Sequence, residues 1–261
     1  MPEPESKMSA TPTSTWNPLF RIGGIAALLA VFVFRRNLGA ELMAFKGFGL
    51  FAVPETLPAR AAGWFALLQD NKFVGLALLE IFDLVEYVLL GLIFLAVCVA
   101  LWQTNRSATL VATFFGLVGI TVYIASNQAF AMLSLSGQHA AAATDAERTA
   151  FEYAGEALLA VHNPGVLYQG TGIYAGLFLV LLAGLIFSVV MLRSNVFSKL
   201  TGVSGILANG FGLGYFIVLP FAPALLALPF VLSAPFRMVW YFLIAWKLFR
   251  IGRDHDGKRA A

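Results

Sequence analysis

Apolar runs of about 20 residues alternate with short polar stretches along most of this chain, and they limit its fold more than any motif does. A helical run of that length crosses a hydrocarbon layer about 30 Å thick. Within lipid, backbone polar groups must bond to one another, and a continuous apolar run does this as a helix, without the alternation typical of a barrel. The sequence therefore predicts an all-α integral membrane helix bundle.

Six such runs predict about six transmembrane helices. They cover approximately residues 16–34, 73–101, 108–133, 171–192, 200–219 and 229–249. Residues 16–250 are predicted to form a single transmembrane domain. Before it, residues 1–15 are rich in Pro, Ser, Thr and charge, which is typical of a disordered tail. Residues 251–261 are predicted to be a basic cytoplasmic tail.

Two stretches between the spans have their own patterns. Residues 37–70 contain charged side chains and the two prolines of VPETLP, so we predict an interfacial loop there. Between the third and fourth spans, Thr144 and Glu147 have the spacing of a helix capping box. Apolar residues follow at helical spacing until Asn163 and Pro164 end the pattern. This predicts one extracytoplasmic surface helix.

Composition excludes several classes of protein. With 59% hydrophobic residues and 12% charged ones, the chain has far fewer charged residues than a typical soluble domain, in which about 25% are charged. Its net charge of +3 does not predict nucleic-acid binding, because no basic run is interleaved with aromatic residues. The only cysteine, Cys98, cannot form an intrachain disulfide. We predict no cofactor, and as partners the lipid bilayer and either an unknown membrane protein or further copies of this chain.

Three acidic residues interrupt the second apolar run, LLEIFDLVEYVLL, at Glu80, Asp83 and Glu86. On one continuous helix this spacing places them within about a third of the circumference. Acids in the hydrocarbon layer cost about 2.5 kcal/mol or more each, so they are expected to face the bundle interior or water. The three are therefore candidates for ion pairing or ion binding.

Arg237 is the one cation that lies away from the ends of a predicted span, and its depth from the cytoplasmic side matches that of Glu86. We therefore predict an intramembrane ion pair between Arg237 and either Glu86 or Asp83. One cation cannot neutralise three acids, which leaves two interpretations open. The acids either specify helix packing in a structural, regulatory or partner-binding protein, which is slightly favoured, or they take up the ion in a small-solute, proton or cation transporter.

Other polar residues are weaker candidates. Asn127, Gln128 and Asn209 could line a polar path or form interhelical hydrogen bonds. His139 and His162 flank the predicted surface helix and could contribute to a metal or hydrolytic site. No HExxH, GxSxG or CxxC motif accompanies them, so a solvated loop without catalysis is favoured and no metal site is predicted.

Glycine spacing predicts close helix packing. Gly172 and Gly176 form one GxxxG pair, and Gly210 and Gly214 form another.

The distribution of Lys and Arg predicts the orientation in the membrane. With both termini in the cytoplasm, ten of the 17 Lys and Arg residues lie on the cytoplasmic side and six lie outside. Cytoplasmic termini are therefore favoured.

The stretches MLRSNVFSKLTGVSGILANG and WYFLIAWKLFRIG, together with the acidic second span, resemble the bacterial membrane proteins of domain-of-unknown-function family 4386. The best local matches are Arg193-Ser194, Gly205 and the spacing from Pro235 to Trp246. The resemblance implies an integral membrane fold of about six helices in a bacterial plasma membrane. It implies no catalytic residues, because that family has no assigned activity.

Overall fold

The computed structural model describes residues 16–34 and 54–257, and this part of the chain is α-helical without strands. Its α-helices are α1 (Asn17–Phe34), α2 (Ala61–Asp70), α3 (Lys72–Leu78), α4 (Ile81–Leu101), α5 (Arg106–Ser126), α6 (Ala129–Ala141), α7 (Asp145–Val161), α8 (Thr171–Arg193), α9 (Lys199–Phe221) and α10 (Ala227–Gly257). A 3₁₀ turn, Pro223–Leu225, connects α9 to α10. The predictions for residues 1–15, 37–53 and 258–261 lie outside the described residues.

Six helices, α1, α4, α5, α8, α9 and α10, form the main bundle, and all of them except α9 contribute to one cluster of buried hydrophobic side chains. Helix α1 packs on α4 and α10, α5 packs on α8, and α9 lies between α8 and α10. Phe94, Phe187, Trp240 and Tyr241 are among the fully buried side chains of this core. Within the described residues, five helices are long and apolar enough to cross a membrane: α4, α5 with its continuation α6, α8, α9 and α10.

The predicted all-α membrane helix bundle is therefore confirmed, and the chain has the helices of a multi-pass membrane protein. The apolar part of α1, Asn17–Val31, is shorter than those of the other five helices. Its crossing of the membrane stays a prediction.

The remaining helices, α2, α3, α6 and α7, form a second unit with its own core, which we call the cap. Trp64, Phe65 and Leu68 of α2 are almost completely buried there, against Met132 of α6 and Leu159 of α7. The prediction of a loop over residues 37–70 is wrong for Ala61–Asp70. The prolines of VPETLP precede this helix, so they do not interrupt it, and its apolar face is buried by the other cap helices.

Two predicted spans are broken where the chain passes between cap and bundle. The predicted helix over residues 73–101 is divided at Leu79 and Glu80, and the one over residues 108–133 at Asn127 and Gln128. Neither break contains Pro or Gly. The cause is tertiary, because the Asn127 side-chain nitrogen donates to the carbonyl oxygens of Leu79 and Glu80, at 3.2 and 3.1 Å.

Helix α7 confirms the predicted capping box. The Thr144 hydroxyl accepts a hydrogen bond from the Glu147 backbone nitrogen, and a Glu147 carboxylate oxygen accepts one from the Thr144 backbone nitrogen at 3.1 Å. Gly155 and Leu159 of this helix are buried within the cap. The surface helix is thus an element of the cap, packed on α6 and α2.

The start of α7 is expected to lose order in acid. Hydrogen bonds from the Thr144 and Ala143 backbone nitrogens hold the pKa of Glu147 below its ordinary value. Their stabilisation is fully present above the pKa of the unfolded chain, about 4.3 for Glu, and is lost as the pH falls through the folded-state pKa. Protection of the Ala143 and Thr144 amides against hydrogen exchange, relative to their intrinsic rates, should fall over that range.

Glu147→Gln is the matched control for this measurement, because glutamine keeps a side-chain acceptor but does not titrate. Its protection should be weaker near neutral pH and should not change with acidification. An equal loss of protection in both proteins would show that another group controls this helix end.

The two glycine pairs differ in what they contact. A Cβ atom on Gly176 would lie 2.8 Å from the Gly119 carbonyl oxygen, and one on Gly172 would overlap the Ser126 hydroxyl. These contacts confirm close packing of α8 on α5. Gly210 and Gly214 have nothing within 4 Å of an added Cβ, so their predicted packing role is wrong within this chain.

Candidate functional site

The candidate site lies where the cap meets the bundle, and its central residue is Glu80. Glu80 joins α3 to α4 with φ 60° and ψ 34°, and it is the only residue other than glycine with a positive φ among the described residues. A left-handed conformation costs a non-glycine residue about 1–3 kcal/mol and persists only where surrounding contacts enforce it. Asn127 supplies such contacts to the carbonyl groups of Leu79 and Glu80.

Asn127 also organises the second break. Its side-chain oxygen accepts a hydrogen bond from the Ala129 backbone nitrogen at 3.0 Å, at the start of α6. One amide side chain is therefore hydrogen-bonded to the backbone at both helix breaks. Its two functional ends are used simultaneously, as donor to one break and acceptor from the other.

The Glu80 carboxylate connects the cap to the bundle. One of its oxygens lies 3.1 Å from Nε2 of His162, in the loop after α7, and 3.2 Å from the hydroxyl of Tyr123 on α5. The His162 side chain is 1% exposed and that of Glu80 is 25% exposed. Solvent thus reaches the carboxylate but hardly reaches the imidazole.

Asp83 extends the connection into the bundle. It lies in the first turn of α4, where the helix dipole favours a carboxylate, and it accepts a 2.7 Å hydrogen bond from the Tyr123 hydroxyl. A single hydroxyl proton thus lies between two carboxylates, and it can be donated to only one of them at a time. We call His162, Glu80, Tyr123 and Asp83 the carboxylate chain.

Beyond the carboxylate chain lies a more deeply buried group. Tyr87 stacks on Tyr123 with ring centroids 3.8 Å apart. Glu86 is 6% exposed and Arg237 is 7% exposed, and both charges act electrostatically on the hydroxyl groups of Tyr87 and Tyr241.

The guanidinium of Arg237 lies at the junction of α9 and α10. A Cβ atom on Gly212 of α9 would lie 3.2 Å from Nη2 of Arg237, so the glycine leaves room for this group. Arg237 also hydrogen bonds with Tyr241, one turn further along α10. The arrangement brings Arg237 and Glu86 to the same part of the bundle, and their ion pair stays a prediction.

The structure changes the predicted placement of the three acids. They do not share one helix face, because Glu80 lies in the break and only Asp83 and Glu86 belong to α4. Since α4 begins at Ile81, Glu86 is roughly 8 Å along the helix at 1.5 Å per residue. The acids therefore lie near the start of this helix rather than midway along a longer one. The break places the Glu80 carboxylate beside the His162 imidazole. The predicted continuous helix does not imply this contact.

The other polar candidates separate into different places. Asn127 belongs to the site, and Gln128 donates to the nearby Ser126 carbonyl oxygen at 3.2 Å. Asn209 lies apart: it is buried against Gly184 of α8 and donates to the Gly205 carbonyl of its own helix. The observed hydrogen bond lies within α9 and is therefore not the predicted interhelical one, although the side chain packs against α8.

The two histidines also have different surroundings. His139 lies 3.2 Å from a Glu152 carboxylate oxygen within the cap. His162 is buried at the candidate site, so the favoured prediction of a solvated loop is wrong for it. Among the described residues, no three His, Cys, Asp or Glu side chains are arranged to hold a metal ion.

Imidazole, carboxylate and phenol groups joined by hydrogen bonds can accept and donate protons in turn. The carboxylate chain offers this chemistry between a partly exposed acid and the bundle interior. No family model, curated protein or solved structure matches the chain. The resemblance to family 4386 therefore has no support from these comparisons.

Proposed function

We propose that this protein is a membrane transporter that moves protons, with the carboxylate chain as its outer uptake site. The observation that carries this proposal is the Tyr123 hydroxyl between two carboxylates, one of which also contacts a buried histidine. Each member can pass a proton to the next without a large movement. Structural ion pairs do not need such a continuous series of exchangeable groups.

Charge supports the same function. Glu80, Asp83 and Glu86 can carry up to three negative charges, and Arg237 is the one buried Lys or Arg among the described residues. An excess of negative charge in a poorly hydrated site favours uptake of a proton or another cation. Broken helices are also a recurring way to build ion sites in transporters, because they bring backbone and side-chain groups together within the protein.

We also propose its placement. The excess of Lys and Arg on the side of the termini favours cytoplasmic termini in a bacterial plasma membrane. The cap would then face outwards, and Glu80 would receive protons from the external solution.

The second candidate is a structural or regulatory membrane protein that binds a membrane partner or further copies of itself. The contact that favours it is again that between His162 and Glu80, because it fastens the cap to the bundle. In that case the acids define packing and the protein carries no proton flux.

Proton flux into proteoliposomes separates the two functions. The purified protein is reconstituted with a pH-sensitive dye inside the vesicles, and an inward proton gradient is imposed. We expect flux above that of protein-free vesicles, falling to their level in Glu80→Gln, Asp83→Asn and Tyr123→Phe. Tyr123→Phe is the most specific of these variants, because it removes the exchangeable hydroxyl proton and keeps the ring that stacks on Tyr87.

Glu152→Gln is the matched control, since Glu152 also contacts a histidine but lies in the cap and is 41% exposed. It should retain flux. Wild-type flux no greater than that of empty vesicles, or full flux in all three site variants, would exclude the proposed transporter.

A further inference from the structure

We propose that the cap is a gate over the carboxylate chain, and that Glu80 is the switch residue between two backbone states. In the state described above, the chain is broken at Glu80. In the other, residues 72–101 form one continuous helix and the cap is displaced from the bundle. This inference gives the regulation of the site and rests on the proposed function for its purpose, but its test does not depend on flux.

The cap has the organisation of a separate moving body. Its core is a separate cluster from the bundle core, and Trp64, Phe65 and Met132 are buried within it. Among the described residues, three short segments connect cap and bundle: Leu79–Glu80, Asn127–Gln128 and the loop over residues 162–170. Hinges are usually a few residues at element ends that absorb changes in φ and ψ.

The break at Glu80 opposes the local preference of the sequence. Apolar residues flank it on both sides without Pro or Gly, and they favour a helix throughout. Left-handed backbone is unfavourable for a residue with a Cβ relative to right-handed helix, because the Cβ then crowds the following carbonyl oxygen. The broken state is therefore maintained by contacts from elsewhere in the chain, and weakening those contacts favours the continuous helix.

Among the described residues, Asn127 and His162 hold this backbone and its carboxylate to the cap side, while the Tyr123 hydroxyl holds the carboxylate to the bundle. Asn127 donates to the carbonyl groups of Leu79 and Glu80, which an uninterrupted helix would use for its own hydrogen bonds. His162 contacts the Glu80 carboxylate. When Glu80 changes its backbone state, both contacts are lost together, so opening the gate also disconnects His162 from the chain.

Glycine and alanine at position 80 test the switch directly. Both Glu80→Gly and Glu80→Ala remove the carboxylate, but glycine adopts left-handed backbone readily and alanine does not. Spin labels are placed at Tyr153→Cys in the cap and Ile217→Cys in the bundle, two exposed positions, with Cys98→Ala removing the only native cysteine. Pulsed electron paramagnetic resonance then measures the distribution of distances between the two labels, and so between cap and bundle.

We expect one distance population in Glu80→Gly and a second, clearly separated population in Glu80→Ala. Asn127→Asp, which keeps the acceptor for Ala129 and loses the donor, should also populate the second distance. The same single population in all three variants would show a fixed cap and overturn the inference. Equal second populations in the glycine and alanine variants would also overturn it, because the backbone state would then not control the cap. A lack of proton flux in the wild type would exclude the proposed function and leave these distances informative.

Discussion

Glu86→Gln and Arg237→Gln are each expected to lower the free energy of unfolding by about 3–5 kcal/mol, because removal of one buried charge leaves the other uncompensated. Glu86 and Arg237 are 6% and 7% exposed, so water can screen neither of them effectively. Both act on the hydroxyl groups of Tyr87 and Tyr241, which places them in one part of the bundle. Unfolding of the purified protein in mixed micelles, followed by tyrosine and tryptophan signals, measures the loss.

The double variant Glu86→Gln/Arg237→Gln should recover much of the combined loss, which gives a large coupling energy in the double-mutant cycle. The matched control is the cycle on His139→Gln and Glu152→Gln, whose side chains are 23% and 41% exposed. Its coupling should be about 1 kcal/mol or less. Additive losses at Glu86 and Arg237 would contradict the predicted ion pair.

A strong coupling between Glu86 and Arg237 would also indicate what the other two acids do. If Arg237 neutralises Glu86, the remaining negative charge belongs to Glu80 and Asp83, which share the Tyr123 hydroxyl. The deeper pair would then fix the bundle, and the carboxylate chain would be left to exchange protons. The structural and transport interpretations of the three acids would thus apply to different members of the group.

The sequence predicts α7 well because its signal is local. Thr144 and Glu147 are three residues apart, and each satisfies a backbone group of the other. The breaks at Glu80 and Asn127 have no local signal of this kind. The donor that stabilises the first break is 47 and 48 residues away from the carbonyl groups it contacts. Periodicity alone therefore predicts two continuous spans there.

The candidate site was predictable only in part for a similar reason. Glu80 and Asp83 are conspicuous because charge is unusual in an apolar run. Tyr123 is not, since an aromatic residue within an apolar helix is ordinary, and its contact with Asp83 spans 40 residues. His162 follows a polar helix, where solvent exposure is the usual outcome, and only the folded chain brings it to Glu80, 82 residues away.

Gly176→Ala is expected to destabilise the protein by about 1–3 kcal/mol or more, since overpacking in a well-packed core costs that amount. An added Cβ would lie 2.8 Å from the Gly119 carbonyl oxygen and 2.9 Å from both the backbone nitrogen and the Cβ of Tyr123. These neighbours are backbone or rigidly attached to it, so α5 and α8 must separate. Thermal unfolding in detergent measures the loss, and Gly119→Ala should behave alike because its Cβ would lie 2.7 Å from the Gly176 carbonyl oxygen.

The same displacement is expected to weaken the candidate site, because Tyr123 carries the hydroxyl that joins Glu80 to Asp83. Gly210→Ala and Gly214→Ala are the matched controls: both add the same methyl group within a helix, where nothing lies within 4 Å. They should be neutral or stabilising by up to about 1 kcal/mol, the helix preference of alanine over glycine. Unchanged stability in Gly176→Ala would contradict the close approach of α5 and α8. A loss of stability with full retention of proton flux would show that the carboxylate chain tolerates movement of Tyr123, and transport would then have to proceed through Glu80 and Asp83 without its hydroxyl.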